Sequence, residues 1–200
     1  MSRWWQRLAG ICVPAVALMA GCSGGGASGP SGRLSSPTAG TTLASASVEP
    51  VYPNTKPGEQ SPVRPLDVLS GAGAEAFAVY FVKVIDWAYA SMDTAPLLQA
   101  SSPECTLCAS LVQMVNDRKA LGDVYLGSRF TILDSQVFNG PTSNTRLTNI
   151  VISYNALTIR HPDGSIEADG EAQPMIQLNV RVRFENNAWV VYEAKRVVQQ

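Results

Sequence analysis

The chain has 200 residues, of which 46% are hydrophobic, 16% charged and 8% aromatic, and its formal net charge is −1. Once a leader is set aside, that is enough chain for one domain of ordinary size. The balance excludes a highly charged disordered chain and a basic nucleic-acid binder. Four cysteines and one histidine leave few ligands for a metal site, and no cofactor or metal is expected.

The first 21 residues read as a secretory signal. Arg3 and Arg7 give a positive start, and Leu8 to Ala20 is an apolar core of thirteen residues, short for a transmembrane helix. The core ends in Leu18-Met19-Ala20-Gly21-Cys22, which resembles the bacterial lipoprotein signal. In that signal a diacylglycerol joins the cysteine thiol, and cleavage makes the cysteine the new N-terminus. The usual pattern places Leu three residues before the cysteine, and here Met19 stands there. The resemblance implies a signal peptide over 1–21, lipidation with palmitate-type chains at Cys22, and a lipid-anchored protein on the extracytoplasmic face of the cell membrane. Each buried CH₂ contributes about 0.8 kcal/mol, so two or three acyl chains hold a protein firmly. Without the leader, thirteen basic residues face sixteen acidic ones, a side-chain charge of −3. Such a chain is not drawn to nucleic acid or anionic lipid by long-range attraction.

Residues 22–64 are a different material. From 23 to 64, 25 of 42 residues are Gly, Pro, Ser or Thr, and only Arg33, Glu49, Lys56, Glu59 and Arg64 are charged. Such a segment buries too little apolar area to offset its ordering entropy, and it reads as a disordered tether. A flexible coil of this length spans roughly 35 Å on average and about 140 Å when fully extended.

Periodicity begins near Pro65, and residues 65–200 are expected to form one α+β domain. Phe77, Phe81, Val84, Ile85 and Ala88 recur at helical spacing within Ala74 to Ala90. Glu75, Lys83 and Asp86 leave only a narrow wet stripe. Asp93 suits the cap of a short helical turn over Thr94 to Gln99. A third helix is expected from Ser102 as N-cap, with Pro103 at its first position and Gly122 as its stop. After that the period becomes two. Strand regions are expected over Tyr125–Phe138, kinked near Gly127, over Asn144–Arg160, and over Met175–Glu185. Asn186-Asn187 suits a two-residue hairpin turn into Ala188–Val198. N-terminal helices packed on a curved antiparallel sheet of about four strands follow. The order resembles the cone-shaped folds of the NTF2-like superfamily, without its early hairpin.

A narrower resemblance rests on Phe77-x-x-Tyr80, Trp87-Ala88-Tyr89-Ala90, Asp93-Thr94, Leu97-Leu98 and Cys105-x-x-Cys108, taken with the lipoprotein signal and tether. Together they resemble actinobacterial lipoproteins carrying a DUF6318-type domain over roughly residues 65–200. The resemblance implies a lipoprotein of an actinobacterial envelope and brings no activity with it.

Cysteine usage is the most informative chemistry. Cys12 leaves with the leader and Cys22 is lipidated, so Cys105 and Cys108 remain, close to the start of a helix. Outside the membrane a disulfide is expected between them, and a helix N-terminus keeps a redox-active pair as the alternative. His161 precedes Pro162-Asp163-Gly164 and reads as a solvated turn residue. No nucleophile elbow, phosphate loop or dinucleotide fingerprint is present. Tyr80, Asp86, Trp87 and Tyr154 are candidates for a pocket. Arg181 and Arg183, with Arg146 and Arg160, could form an anion-binding stripe on the exposed sheet face.

These features suggest a non-enzymatic binding or interaction module. It is held on the membrane through Cys22, and its partner is an envelope protein or a small ligand. A thiol–disulfide redox protein using Cys105 and Cys108, and an accessory subunit of an envelope assembly, are the alternatives.

Overall fold

The computed structural model describes residues 55–56, 58–127 and 129–197. The signal, Cys22 and the tether before residue 55 lie outside the described residues. Helix α1 spans Gly71–Ser91, α2 Ala95–Ala100 and α3 Thr106–Ala120. Seven strands follow among the described residues: β1 Val124–Gly127, β2 Phe130–Asn139, β3 Thr145–Tyr154, β4 Leu157–Arg160, β5 Ile166–Gly170, β6 Gln173–Glu185 and β7 Ala188–Val197.

The α1 helix starts where Ser70 Oγ accepts the Gly73 N–H at 3.0 Å, which satisfies one of the orphan amides of the first turn. It ends at Met92, whose backbone is left-handed at φ 57°. Phe77, Phe81, Val82, Val84 and Ala88 are buried, and of the polar residues Lys83 is exposed while Asp86 is buried. The expected wet stripe is therefore narrower still, because Asp86 belongs to the interior. The α2 helix has Thr94 as its N-terminal flank with no side-chain cap, yet Asp93 Oδ1 accepts the Ala95 N–H at 3.0 Å.

The start of α3 corrects the sequence expectation. Ser102 is not its N-cap and Pro103 is not its first residue. Cys105 holds the cap, its Sγ accepting the Cys108 N–H at 3.3 Å. Ser102 is drawn away instead, its N–H donating to the Val191 carbonyl at 2.8 Å. Past the other end of α3, Gly122 takes φ +75°, as a helix stop requires.

Strands β2-β3-β6-β7 form one antiparallel sheet and β1-β4-β5 a second, smaller one. Ile150, Ile152, Ile176, Val180, Val182, Trp189 and Val191 line the buried face of the larger sheet, against the helices. The α+β architecture with an antiparallel meander is as expected, and Asn186 and Asn187 turn the last hairpin at φ 51° and 61°. The larger sheet has the expected four strands, and the smaller second sheet is an addition to the expectation. The region near Gly127 is a break and not a kink, and the Asn144–Arg160 region breaks as well. Gly127 pairs with Leu157 at the end of one sheet, and Phe130 pairs with Tyr154 at the start of the other. Both chains of the ribbon change sheet at the same level, and the inward positions change phase there, from Tyr125 to Phe130 and Ile132 on one chain and from Ile150 and Ile152 to Leu157 and Ile159 on the other. Gly127 is required there: at φ +79° an added Cβ would collide with the Ala156 carbonyl oxygen.

The body of the domain also takes in chain assigned by composition to the tether. Arg64 Nη2 donates to the Trp189 carbonyl at 2.6 Å, and its guanidinium lies 4.6 Å from the Phe77 ring centroid. Asp67 Oδ1 accepts the Trp189 amide at 2.8 Å, and Trp189 Nε1 donates to the Val68 carbonyl at 2.8 Å.

Candidate functional site

A hollow of about 370 Å³ opens where the larger sheet meets the sheet change. Its walls include Arg129 just before β2, Thr131 near the start of β2, Ser153 and Tyr154 at the end of β3, Asn155 just after it, and Gln173 at the start of β6. Residues that bear hydroxyls, amides and one guanidinium thus border one space, together with Ala172 and Pro174.

Arg129 is fixed from behind. Its Nε donates to Asp86 Oδ2 at 3.0 Å, and the other Asp86 oxygen accepts the Phe130 N–H at 2.8 Å. Asp86 is on α1 and 8% exposed. Burial pushes its carboxyl pKa up, partly offset by the Phe130 amide and Arg129. With a hydrogen bond on each oxygen, Asp86 acts as an anchor for Arg129 and for the Phe130 amide. The remaining Arg129 nitrogens meet Glu59: Nη2 donates to Oε1 at 2.6 Å and Nη1 to Oε2 at 3.1 Å. This is the parallel two-bond pairing of guanidinium and carboxylate. The Arg129 hydrogen bonds, with the backbone N–H of Lys56, hold the Glu59 pKa down at about 2. Lys56 N–H donates to Glu59 Oε2 at 2.9 Å.

The four predicted pocket residues do not converge. Tyr154 lines the hollow and Asp86 holds its guanidinium, but neither Tyr80 nor Trp87 is among its walls. Tyr80 packs on Phe77 with ring centroids 5.9 Å apart, and the buried Trp87 Nε1 has no hydrogen-bond partner. A row of rings runs inward from the hollow. Tyr154 and Phe130 are 5.8 Å apart, Phe130 and Tyr89 6.2 Å, and Tyr89 and Tyr125 5.0 Å. Burial raises the pKa of Tyr154, and raises that of Tyr89 strongly.

The arginine stripe is neutralised within the chain. Arg181 Nε lies 3.2 Å from Glu193, and Arg183 Nε lies 2.8 Å from Glu185, with Glu104 at 3.4 Å from its Nη1. Arg146 Nη1 donates to the Ser143 and Thr145 carbonyls at 2.8 and 2.6 Å. The acids come from three places: Glu193 faces Arg181 across the β6–β7 pair, Glu185 lies two residues from Arg183 on β6, and Glu104 stands just before α3.

His161 is not a solvated turn residue. Its Nδ1 lies 2.8 Å from Asp123 Oδ1 and its Nε2 3.5 Å from Glu167. Asp123, 3% exposed, is also paired with Arg118 at 3.1 Å. The cluster ties the end of α3 to β4 and β5 and occupies the chain's one histidine. Cys105 and Cys108 are joined by a disulfide with Cα atoms 5.2 Å apart, and both are 1% exposed.

Sequence reasoning missed Arg129 and Glu59. Arg129 is an isolated basic residue at a strand break, and Glu59 stands in a low-complexity run 70 residues away. Neither position carries a local pattern that marks a pair.

Among the described residues, no helix is long and apolar enough to cross a membrane. Among them too, no group of three or more His, Cys, Asp or Glu side chains could hold a metal ion. Residues 62–195 match a family model described as a family of unknown function, DUF6318. No curated protein matches the chain. Several solved structures are similar to it. The intermembrane space region of the chloroplast protein ARC6 is 12% identical with a TM-score of 0.46, the match covering 65% of this chain and 98% of that one. An NTF-2 like protein of unknown function from Shewanella oneidensis MR-1 is 12% identical with a TM-score of 0.35, covering 60% of this chain and 95% of that one. A putative polyketide cyclase from Xanthomonas campestris pv. campestris is 10% identical with a TM-score of 0.34, covering 63% and 93%.

Proposed function

The chain belongs to the DUF6318 family of unknown function, and from that premise we propose that it is a lipid-anchored binding module of the cell envelope. In this reading Cys22 carries the acyl chains and residues after it space the domain from the membrane. The hollow beside Arg129 takes a small polar ligand. The observation that carries the binding role is the Arg129–Asp86 pair. A buried carboxylate fixes a guanidinium at the wall of a space lined by Thr131, Ser153, Tyr154, Asn155 and Gln173. A few convergent polar groups in a concave space are what small-ligand sites present.

A non-catalytic role is supported by the same geometry. Asp86 is committed to Arg129 and the Phe130 amide, and His161 to Asp123 and Glu167. The burial of Cys105 and Cys108 at 1% exposure favours a structural disulfide over a redox pair, since thiol exchange needs access for an attacking thiolate.

Two measurements test the reading. Metabolic labelling with a palmitate analogue should mark the full chain and spare a Cys22→Ala variant, which should also leave the membrane fraction. A thermal-shift screen of small polar compounds on the full chain in detergent should give hits that Arg129→Ala abolishes. A ligand at 100 times its Kd stabilises a protein by roughly 2.7 kcal/mol, which such a screen detects. Hits that survive Arg129→Ala would place binding elsewhere.

A further inference from the structure

Resting on the binding role of this hollow, we propose that its ligand is an uncharged polyhydroxyl compound, the chemistry of a sugar ring.

Three features of the walls lead there. The first is unspent hydrogen-bonding capacity. Thr131, Ser153, Tyr154, Asn155 and Gln173 border the hollow, and none of their side chains has a hydrogen-bond partner among the described residues. On the outer sheet face, by contrast, Arg181 and Arg183 are already paired with carboxylates. Each of the five both donates and accepts, three through hydroxyls and two through carboxamides. A ligand hydroxyl does both as well, so a ring that carries several of them matches several walls at once.

The second is charge. Arg129 is the one charged residue among the described walls, and its charge is already balanced. Its Nε donates to Asp86, and its Nη1 and Nη2 donate to the two Glu59 oxygens. Two carboxylates around one guanidinium disfavour a third anion there, because like charges brought together cost free energy. Neither carboxylate is itself among the walls, so no acid borders the space to receive a cation. Arg196 lies near enough to act on the Tyr154 phenol, but it is not among the walls either.

The third is surface and shape. Tyr154, packed on Phe130 at 5.8 Å between ring centroids, borders the hollow together with Ala172 and Pro174. A sugar ring has a polar rim and C–H faces. The rim suits the hydroxyls and carboxamides, and the faces suit an aromatic ring and a proline. The volume of about 370 Å³ lies within the roughly 300–1,000 Å³ of small-ligand sites. An extended peptide fits less well, because β3 is flanked by β2 and β6 here and offers no open edge to join.

The test is a chemical-shift titration of the full chain, in a detergent without a sugar headgroup. The probes are glucose, galactose, mannose, arabinose and N-acetylglucosamine, with glucuronate as the anionic control. At least one neutral sugar should give saturable shifts at Thr131, Ser153, Asn155 and Gln173, which requires no variant to fold. Its affinity should hold between about 0.05 and 0.5 M NaCl, since no ion pair forms. Asn155→Ala with Gln173→Ala should weaken it about tenfold, the loss of two neutral hydrogen bonds. Glucuronate should bind no better than glucose. Glucuronate binding that salt weakens and Arg196→Gln abolishes, with glucose silent, overturns the uncharged assignment. An unweakened sugar affinity in the double variant overturns it too. Silence of all the sugars, alongside Arg129-dependent hits among other small polar compounds, overturns the sugar class and leaves the hollow a binding site. Absence of both removes the inference together with the binding role it rests on.

Discussion

Arg129 and Asp86 meet at 3.0 Å across 43 residues of sequence, the guanidinium at the wall of a polar hollow and the carboxylate buried on α1. The contact fixes one edge of the guanidinium and directs the others to a second carboxylate. It also explains an aspartate on the buried side of a helix otherwise packed with Phe77, Phe81 and Val84.

Acid should act on this site through Glu59. Its folded pKa, about 2, lies below the ordinary 4.5 because Arg129 hydrogen-bonds the ionised form. A lowered acid pKa contributes stability that is complete above the unfolded value and lost as pH falls through the folded one. Asp67 acts in the same direction. Burial alone would raise its pKa, but Arg64 and the Trp189 amide outweigh that and hold it below 3.8. Asp86, raised by burial, has the opposite sign: its contribution is present below its ordinary 3.8 and lost as pH rises through the folded value. Denaturant melts of wild type and Glu59→Gln should differ at pH 7 and converge as pH falls from about 4.5 to about 2. A constant gap across that range contradicts the assignment.

Gly127 holds the point where the ribbon changes sheet. Gly127→Ala places a Cβ against the Ala156 carbonyl in a left-handed backbone. A loss of about 2 kcal/mol or more is expected, read as a lower urea midpoint with an unchanged slope.

Much of this fold was legible in the residues themselves. Alternation in Met175–Glu185 and the Asn186-Asn187 pair gave the last hairpin, because one face of β6 is buried and Asn tolerates positive φ. The second sheet was not legible. Only two residues separate β1 from β2, and the change of phase between Tyr125 and Phe130 marks a break without recording which sheet each half joins. The site was only half legible. Asp86 and Tyr154 were picked out by residue type, but the partner that gives Asp86 its role is an isolated arginine far along the chain. Glu59 sits in a stretch whose composition argues for disorder, and an ion pair with a distant strand overrides that local signal. The arginine stripe misled for the converse reason, since Glu193 and Glu185 neutralise it from neighbouring positions.

Thr148 offers a test of the interior. It is fully buried on β3, and its hydroxyl has no hydrogen-bond partner. Thr148→Val keeps the shape and removes an unsatisfied polar atom, so stability should rise by about 1 kcal/mol. A loss of that size would reveal a partner for the hydroxyl.

The disulfide should act as a local staple. Cys105→Ser with Cys108→Ser removes the small loop and changes the cap of α3. The chain-entropy model gives about 2 kcal/mol for a loop of this size. Thermal melts should show that drop in the double variant, and a matching drop in the wild type under strong reductant. Equal melts would make the link energetically silent.

The central claim is that this domain binds at Arg129. Amide and arginine side-chain chemical shifts of the full chain in detergent, mapped against a library of small polar compounds, test it most directly. The account predicts perturbations that saturate together at Arg129, Thr131, Ser153, Tyr154 and Gln173. Saturable perturbations centred on the outer sheet face at Arg181 and Arg183, with Arg129 unmoved, would contradict it.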